Sequence, residues 1–189
     1  MSKINKILIV LVIIALVSLP IFIYMQKSNT FTYNEYKFSK NSANGYDIEI
    51  FFKNDPSPHY INVRYNPKEL ERIPVETDLK SKLLKNEVYV TLDKNLTSTS
   101  VIAVAEISKI IGNQYLFNIP TKGALTYDTG KNLFKTCDDA TFQTGIILLK
   151  LADETKITSD KKCVIVQGTN EDEIIRAATK LNLILLSIM

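Results

Sequence analysis

The sequence predicts an α+β fold: an N-terminal transmembrane helix followed by one extracytoplasmic domain, with antiparallel hairpins and a mixed sheet covered by helices. Three observations lead there. Residues 7–25 carry no charge, and only Ser18 and Pro20 interrupt their apolar side chains. Residues 46–65 alternate apolar and polar positions on either side of a Pro-rich stretch. In the second half, an apolar strand twice leads through a short polar turn into an amphipathic helix,.

The apolar run comes first. At about 1.5 Å of rise per helical residue it reaches roughly 28 Å, close to the ~30 Å hydrocarbon core of a bilayer. Lys3 and Lys6 precede it with no acid nearby. The positive-inside bias therefore holds residues 1–6 in the cytoplasm and sends the C-terminal part outside. A cleaved signal peptide would do the same, but it would pair an apolar stretch of about 7 to 15 residues with a small-residue cleavage site. Here bulky Ile21, Phe22, Tyr24 and Met25 follow Pro20. A retained anchor is the expectation, with the lipid bilayer as the partner of residues 7–25. A pilin-type helix would want a Gly or Ala processing site after the basic residues and a Glu five residues further on, and neither is present. Pro20 is tolerated within a span.

Charge narrows the partners. The chain has 23 Lys and Arg against 20 Asp and Glu, but Lys3, Lys6 and Lys27 fall in a 27-residue N-terminal stretch without acids, which leaves 20 against 20. An exported domain so close to neutral lacks the clustered basic excess of a nucleic-acid binder, so no nucleic acid is expected. Two cysteines, Cys137 and Cys163, both follow the anchor. Outside the cytoplasm such a pair is expected as one disulfide, worth about 3 kcal/mol by loop entropy. A metal site or a nucleophilic cysteine would want a histidine, and His59, far off in sequence, is the only one,.

Residues 26–44 read as a stalk or a small hairpin. Phe31, Tyr33, Tyr36 and Phe38 flank Asn34-Glu35, whose alternation suits a hairpin turning at that pair; a wet stalk with aromatics at the headgroup boundary is the rival,. The domain is expected to occupy 45–189. Tyr46, Ile48, Ile50 and Phe52 share one strand face, and His59, Ile61, Val63 and Tyr65 repeat the pattern after the turn signal Asn54-Asp55-Pro56-Ser57-Pro58,. Pro67 can open one helical turn, and Leu79, Leu83 and Leu84 suit a second short helix, with the charges between them read as a solvated face,.

Val88, Val90 and Leu92 then alternate in a strand, and Ser98, Thr99 and Ser100 can cap a helix over 101–111 that Gly112 closes,. The uninterrupted apolar runs at 146–149 and 163–166 predict central strands over 145–151 and 163–167, covered on both faces,. The turn Gly168-Thr169-Asn170 leads into a helix over 171–188, with Asn170 and Glu173 in a capping-box relation and a polar stripe of Asp172, Arg176 and Lys180,. Its end, Leu183-Ile184-Leu185-Leu186, is apolar nearly all round and is expected as core; exposed, it would be a partner contact,.

No residue is assigned a catalytic, cofactor-binding or metal role. An anion at Gly168-Thr169-Asn170 would face Glu171, Asp172 and Glu173, which already answer the helix dipole, and no G-x-G-x-x-G or P-loop occurs,. Asp138-Asp139 beside Cys137 is a weak start for a calcium site and a common turn pair,. Asn95-Leu96-Thr97 fits N-x-S/T, which makes Asn95 a candidate glycan acceptor,.

The segments Tyr65-Asn66-Pro67-Lys68-Glu69-Leu70-Glu71-Arg72-Ile73-Pro74 and Cys137-Asp138-Asp139-Ala140-Thr141, with the tail CVIVQGTNEDEIIRAATKLNLILL, resemble uncharacterised small membrane-anchored proteins of archaea. The resemblance covers most of the exported part, implies a surface location and brings no chemistry. The tail is also similar, at the level of fold alone, to modules of cell-envelope assembly proteins. The expected role is a non-enzymatic cell-surface or envelope interaction module whose partners are envelope proteins. A subunit of an envelope assembly is the alternative, and a membrane-tethered hydrolase, using Asp138, Asp139 or His59 in a shared pocket, comes behind it.

Overall fold

The computed structural model describes Ile14 and residues 16–18, 29–52, 55–130 and 133–189. The expected cytoplasmic tail at 1–6, most of the expected anchor at 7–25 and residues 26–28 lie outside the described residues. Within 7–25, Ile14 and residues 16–18 are helical, and Ile14, Leu16 and Val17 are more than half exposed. Among the described residues no helix is long and apolar enough to cross a membrane. The chain separates into two compact units, Met1–Asn62 and Val63–Met189, whereas the sequence reading puts a boundary after residue 44.

The first unit carries an antiparallel four-stranded sheet, β1 Thr30–Tyr33, β2 Tyr36–Lys40, β3 Tyr46–Phe52 and β4 Asp55–Val63, in sequential order. Asn34 and Glu35 both have positive φ, 43° and 70°, as a two-residue turn matched to the strand twist requires,. Residues 30–40 are thus two strands of this sheet and not a separate stalk. The registers Phe31↔Phe38 and Phe38↔Ile48 stack their side chains on one face. Phe31 lies on Phe38 with centroids 5.1 Å apart, Tyr46 meets Phe31 edge-on at 5.6 Å, and Phe38 and Ile48 are fully buried,. β4 starts inside the Pro-rich stretch read as a turn. As the edge of the sheet it tolerates Pro56 and Pro58, which lack N–H groups two residues apart on one side of the strand,.

The second unit is built on a mixed five-stranded sheet in the order β6-β5-β7-β9-β8. Its strands are β5 Glu87–Leu92, β6 Thr121–Leu125, β7 Thr144–Leu151, β8 Lys156–Asp160 and β9 Cys163–Gly168. The first four in spatial order run parallel, and β8 is antiparallel to β9. Helices α1 Pro67–Leu70, α2 Leu79–Leu83, α3 Val101–Ile111 and α4 Glu171–Leu185 accompany it, with 3-10 turns at Ser98–Ser100 and Cys137–Asp139. β7 and β9 are central, as their unbroken apolar runs predict. β6 and β8 form the two edges, where TKGAL and KITSD need neither a two-sided apolar run nor a clean alternation.

Handedness explains the layers. The step from β5 to β6 passes through α3, and the return from β6 past β5 to β7 crosses the sheet in the opposite direction. Right-handed connections therefore place the return on the face away from α3. That face carries Tyr89, Ala124, Ile146 and Cys163, and Cys137 and Ala140 of the returning segment pack on it. Val88, Val90, Ile147, Leu149, Val164 and Val166 alternate onto the helical face, all without exposure,.

The polar stripe of α4 is used inside the unit: Arg176 and Lys180, one turn apart, reach the carbonyls at the end of α1. The Lys180 ammonium is buried and donates to the carbonyls of Leu70 (3.0 Å), Glu71 (3.1 Å) and Ile73 (2.8 Å). A helix end has unpaired carbonyls, and a cation beside it supplies both donors and favourable charge. Burial pulls the Lys180 pKa below the ordinary lysine value, with Glu71 acting against that shift. Replacing Lys180 by Met keeps the stem and removes the donor, so it should cost about 2 kcal/mol in urea unfolding, less than three lost bonds because the buried charge disappears as well. An unchanged midpoint would mean that the ammonium contributes nothing.

Candidate functional site

Open sheets with parallel strands usually bind ligands where neighbouring strands send their connections to opposite sides. In the second unit that position borders the carboxyl ends of β5 and β7, since β5 leads to β6 and β7 leads towards β9. Asp93 donates its N–H to the Leu149 carbonyl (3.0 Å) and accepts from the Lys94 N–H (2.8 Å) and the Thr126 hydroxyl (3.2 Å). Glu171, the first residue of α4, accepts from the Thr97 N–H (3.1 Å) and the Ser100 hydroxyl (2.8 Å). Burial opposes its charge, but the bonds from Ser100 and Thr97 outweigh it and hold the pKa below the usual glutamate value. The chain's own carboxylate therefore caps the start of α3, where an anion would otherwise lie.

The turn Gly168-Thr169-Asn170 is closed in the same way. Asn170 accepts from the Glu173 N–H at 3.0 Å, while the Glu173 carboxylate turns to Arg176 at 3.3 Å, so only half of the expected capping box forms. A Cβ on Gly168 would lie 2.5 Å from the Ile174 nitrogen, which explains the glycine and leaves no room for a ligand,. Asn95 is exposed in the turn between Asp93 and Thr97, with its side chain open to solvent, as an acceptor asparagine requires.

Cys137 and Cys163 are joined by a disulfide, with Cα atoms 5.1 Å apart. It ties the returning segment to the start of β9. Asp139 accepts from the Thr136 N–H (2.8 Å) and from Lys135 (3.2 Å), and the first of these chiefly lowers its pKa; Asp138 is exposed. The pair thus closes a 3-10 turn. Among the described residues no group of three or more His, Cys, Asp or Glu side chains is placed to hold a metal ion. His59, in the first unit, holds Asp55 at 2.8 Å and meets the Phe52 ring edge-on at 4.8 Å. Asp55 titrates below the usual range, mainly through the Ser57 N–H and then His59.

Two concavities in the second unit were not foreseen. One is an apolar groove of about 240 Å³ between α3 and β6, lined by Val101, Val104, Gly123, Leu125 and Leu133. Beside it, among the described residues, the backbone edge of β6 is half closed: Leu125 bonds the segment at Leu133 and Lys135, while Thr121 and Gly123, four and two residues earlier, point the same way beyond that cover,. The far edge at β8 is better covered, by a bridge from Val75 and by the Glu76 carboxylate on Ser159 (2.8 Å). The other concavity is a charged cleft of about 490 Å³ between α1, α4 and Thr155. Its charges, from Lys68 to Arg72, are the ones read as a solvated face. Spacing along α1 alone carries no sign that Arg176 and Thr155 meet them.

No family profile, curated protein or solved structure matches this chain. The resemblance to archaeal membrane-anchored proteins draws no support from these comparisons, and the reading rests on the chain's own geometry.

Proposed function

We propose that the protein is held in the membrane by residues 7–25 and works outside the cytoplasm by binding envelope partners. The observation that carries this reading is the Cys137–Cys163 disulfide, which belongs to an oxidising compartment and lies on the C-terminal side of the basic residues Lys3 and Lys6,. The exposed, helical Ile14, Leu16 and Val17 suit a lipid-facing surface. Binding is favoured over hydrolysis because Asp139, one of the groups a hydrolase would draw on, is taken up in closing its own turn with Thr136 and Lys135. Asn95, exposed on a turn, would carry a glycan where the machinery exists.

The alternative of an assembly subunit keeps one support. The end of α4 no longer argues for it, since Leu183 and Leu185 are buried; the open part of the β6 edge does, because such an edge can accept an added strand,. Protease added to intact cells should remove the chain beyond about residue 30, given how little of the N-terminus projects from a span. Protection of the C-terminal domain would overturn the orientation, and a mature N-terminus beginning after residue 25 would show that the run is a cleaved signal.

A further inference from the structure

We infer that the cleft between α1 and α4 is a binding site for a phosphate-type oxyanion, free or as a group on a larger molecule. At about 490 Å³ it is in the size range of small-ligand sites,. Three cations line it, Lys68, Arg72 and Arg176, against two carboxylates, Glu69 and Glu173. Both carboxylates serve Arg176: Glu69 lies 3.6 Å from Nη1 and Glu173 lies 3.3 Å from Nε. The Glu69 carbonyl accepts from Nη2 at 2.8 Å, and the guanidinium lies over the Tyr65 ring at 5.1 Å. Arg176 is thereby fixed as part of the wall.

Lys68 and Arg72 are different. Both are exposed, and among the described residues neither forms an ion pair. Two uncompensated cations face one opening, and Arg72 offers a planar fork of donors suited to two oxygens of one anion. Thr155 adds a neutral donor: its Oγ1 accepts from the Thr169 N–H at 3.4 Å, which leaves the hydroxyl hydrogen to give,. Two cations and a hydroxyl suit an acceptor with three or more oxygens in a tetrahedral arrangement better than a planar carboxylate. The lining has no aromatic ring on which a base would stack, so a nucleotide is not the expected ligand,.

This inference does not depend on membrane anchoring. It is tested on the detergent-solubilised full chain by equilibrium dialysis of radiolabelled inorganic phosphate at low ionic strength. Saturable binding is expected, weakened about tenfold or more in Lys68→Gln/Arg72→Gln, as loss of charge-assisted bonds implies. The pair Lys94→Gln/Lys161→Gln removes as much charge from exposed positions that do not line the cleft and should leave binding unchanged. Absence of saturable binding, or equal weakening in both pairs, would overturn the site. Competition separates the sources: displacement by glycerol phosphate supports a free phosphate monoester, and displacement by short-chain phosphatidylglycerol supports a phosphodiester headgroup. If neither displaces saturably bound phosphate, the free inorganic ion is the ligand.

Discussion

Deleting residues 183–189 should leave a second unit that does not fold. Leu183, Leu185 and Ile188 are all buried, the last although it lies beyond the end of α4. A buried large aliphatic side chain typically contributes ~2 to 5 kcal/mol, and three of them approach or exceed the ~5 to 15 kcal/mol that holds a domain together. The deletion also removes the closure of the helix. Ser187 takes a left-handed φ of 60°, its N–H bonds the Ile184 carbonyl at 2.9 Å, and the Ile188 N–H bonds the Leu183 carbonyl at 2.8 Å. This is the paired C-terminal hydrogen-bond arrangement of a helix closed by a left-handed residue, and Ile188 beyond it is buried,. Circular dichroism should show lost helix and no cooperative melt, and size exclusion an expanded or aggregated species. A folded truncation that has lost only an association would contradict this and make the C-terminus a docking element.

The same segment shows what the sequence makes legible. The run Leu183-Ile184-Leu185-Leu186 reads as core, and Leu183 and Leu185 are buried, but Ile184 and Leu186 are half-exposed because a helix packed on one side of a sheet has an outer flank. Strands β7 and β9 are legible because a strand covered on both faces carries consecutive apolar residues at its middle, here 146–149 and 163–166. The Asn34-Glu35 turn is legible because Phe31, Tyr33, Tyr36 and Phe38 alternate on either side of it, although Glu35, at φ 70°, is not a residue that favours the left-handed region,. β6 and β8 escape notice because an edge strand is held by one neighbour and its sequence need satisfy only that one. The inward direction of Arg176 and Lys180 escapes for another reason. A polar stripe on a helix implies water unless some other segment has carbonyls to offer, and the segment that does, at the end of α1, lies more than 100 residues away. The charged cleft follows from that long-range contact and is hidden with it.

The second large effect concerns the covalent tie. Replacing Cys137 and Cys163 by Ser should lower stability by about 3.5 kcal/mol on loop entropy, for a sequence separation of 26,. In a unit of this size that is a fall in melting temperature on the order of 10 °C. The loss should be local in its first consequence. The segment from β6 to β7 covers one face of the sheet with little regular structure of its own, and Cys137 and Ala140 are its packing points on Tyr89 and Ile146. Among the described residues the segment is held besides by backbone bonds between Leu125 and Leu133 and Lys135 (2.9 and 3.0 Å), by the Thr91 hydroxyl donating to the Lys135 carbonyl at 2.7 Å, and by Lys135 over the Tyr89 ring at 5.4 Å. Without the disulfide this segment should open before the sheet does, so limited proteolysis of the double variant should cut within 126–143 at temperatures where the parent is intact. Reduction of the parent should reproduce both effects. Equal melting temperatures and equal cleavage with and without the disulfide would show that the apolar contacts alone keep this face covered. The domain would then need no oxidising compartment to hold its fold, and the argument that places it outside the cytoplasm would rest on Lys3 and Lys6 alone.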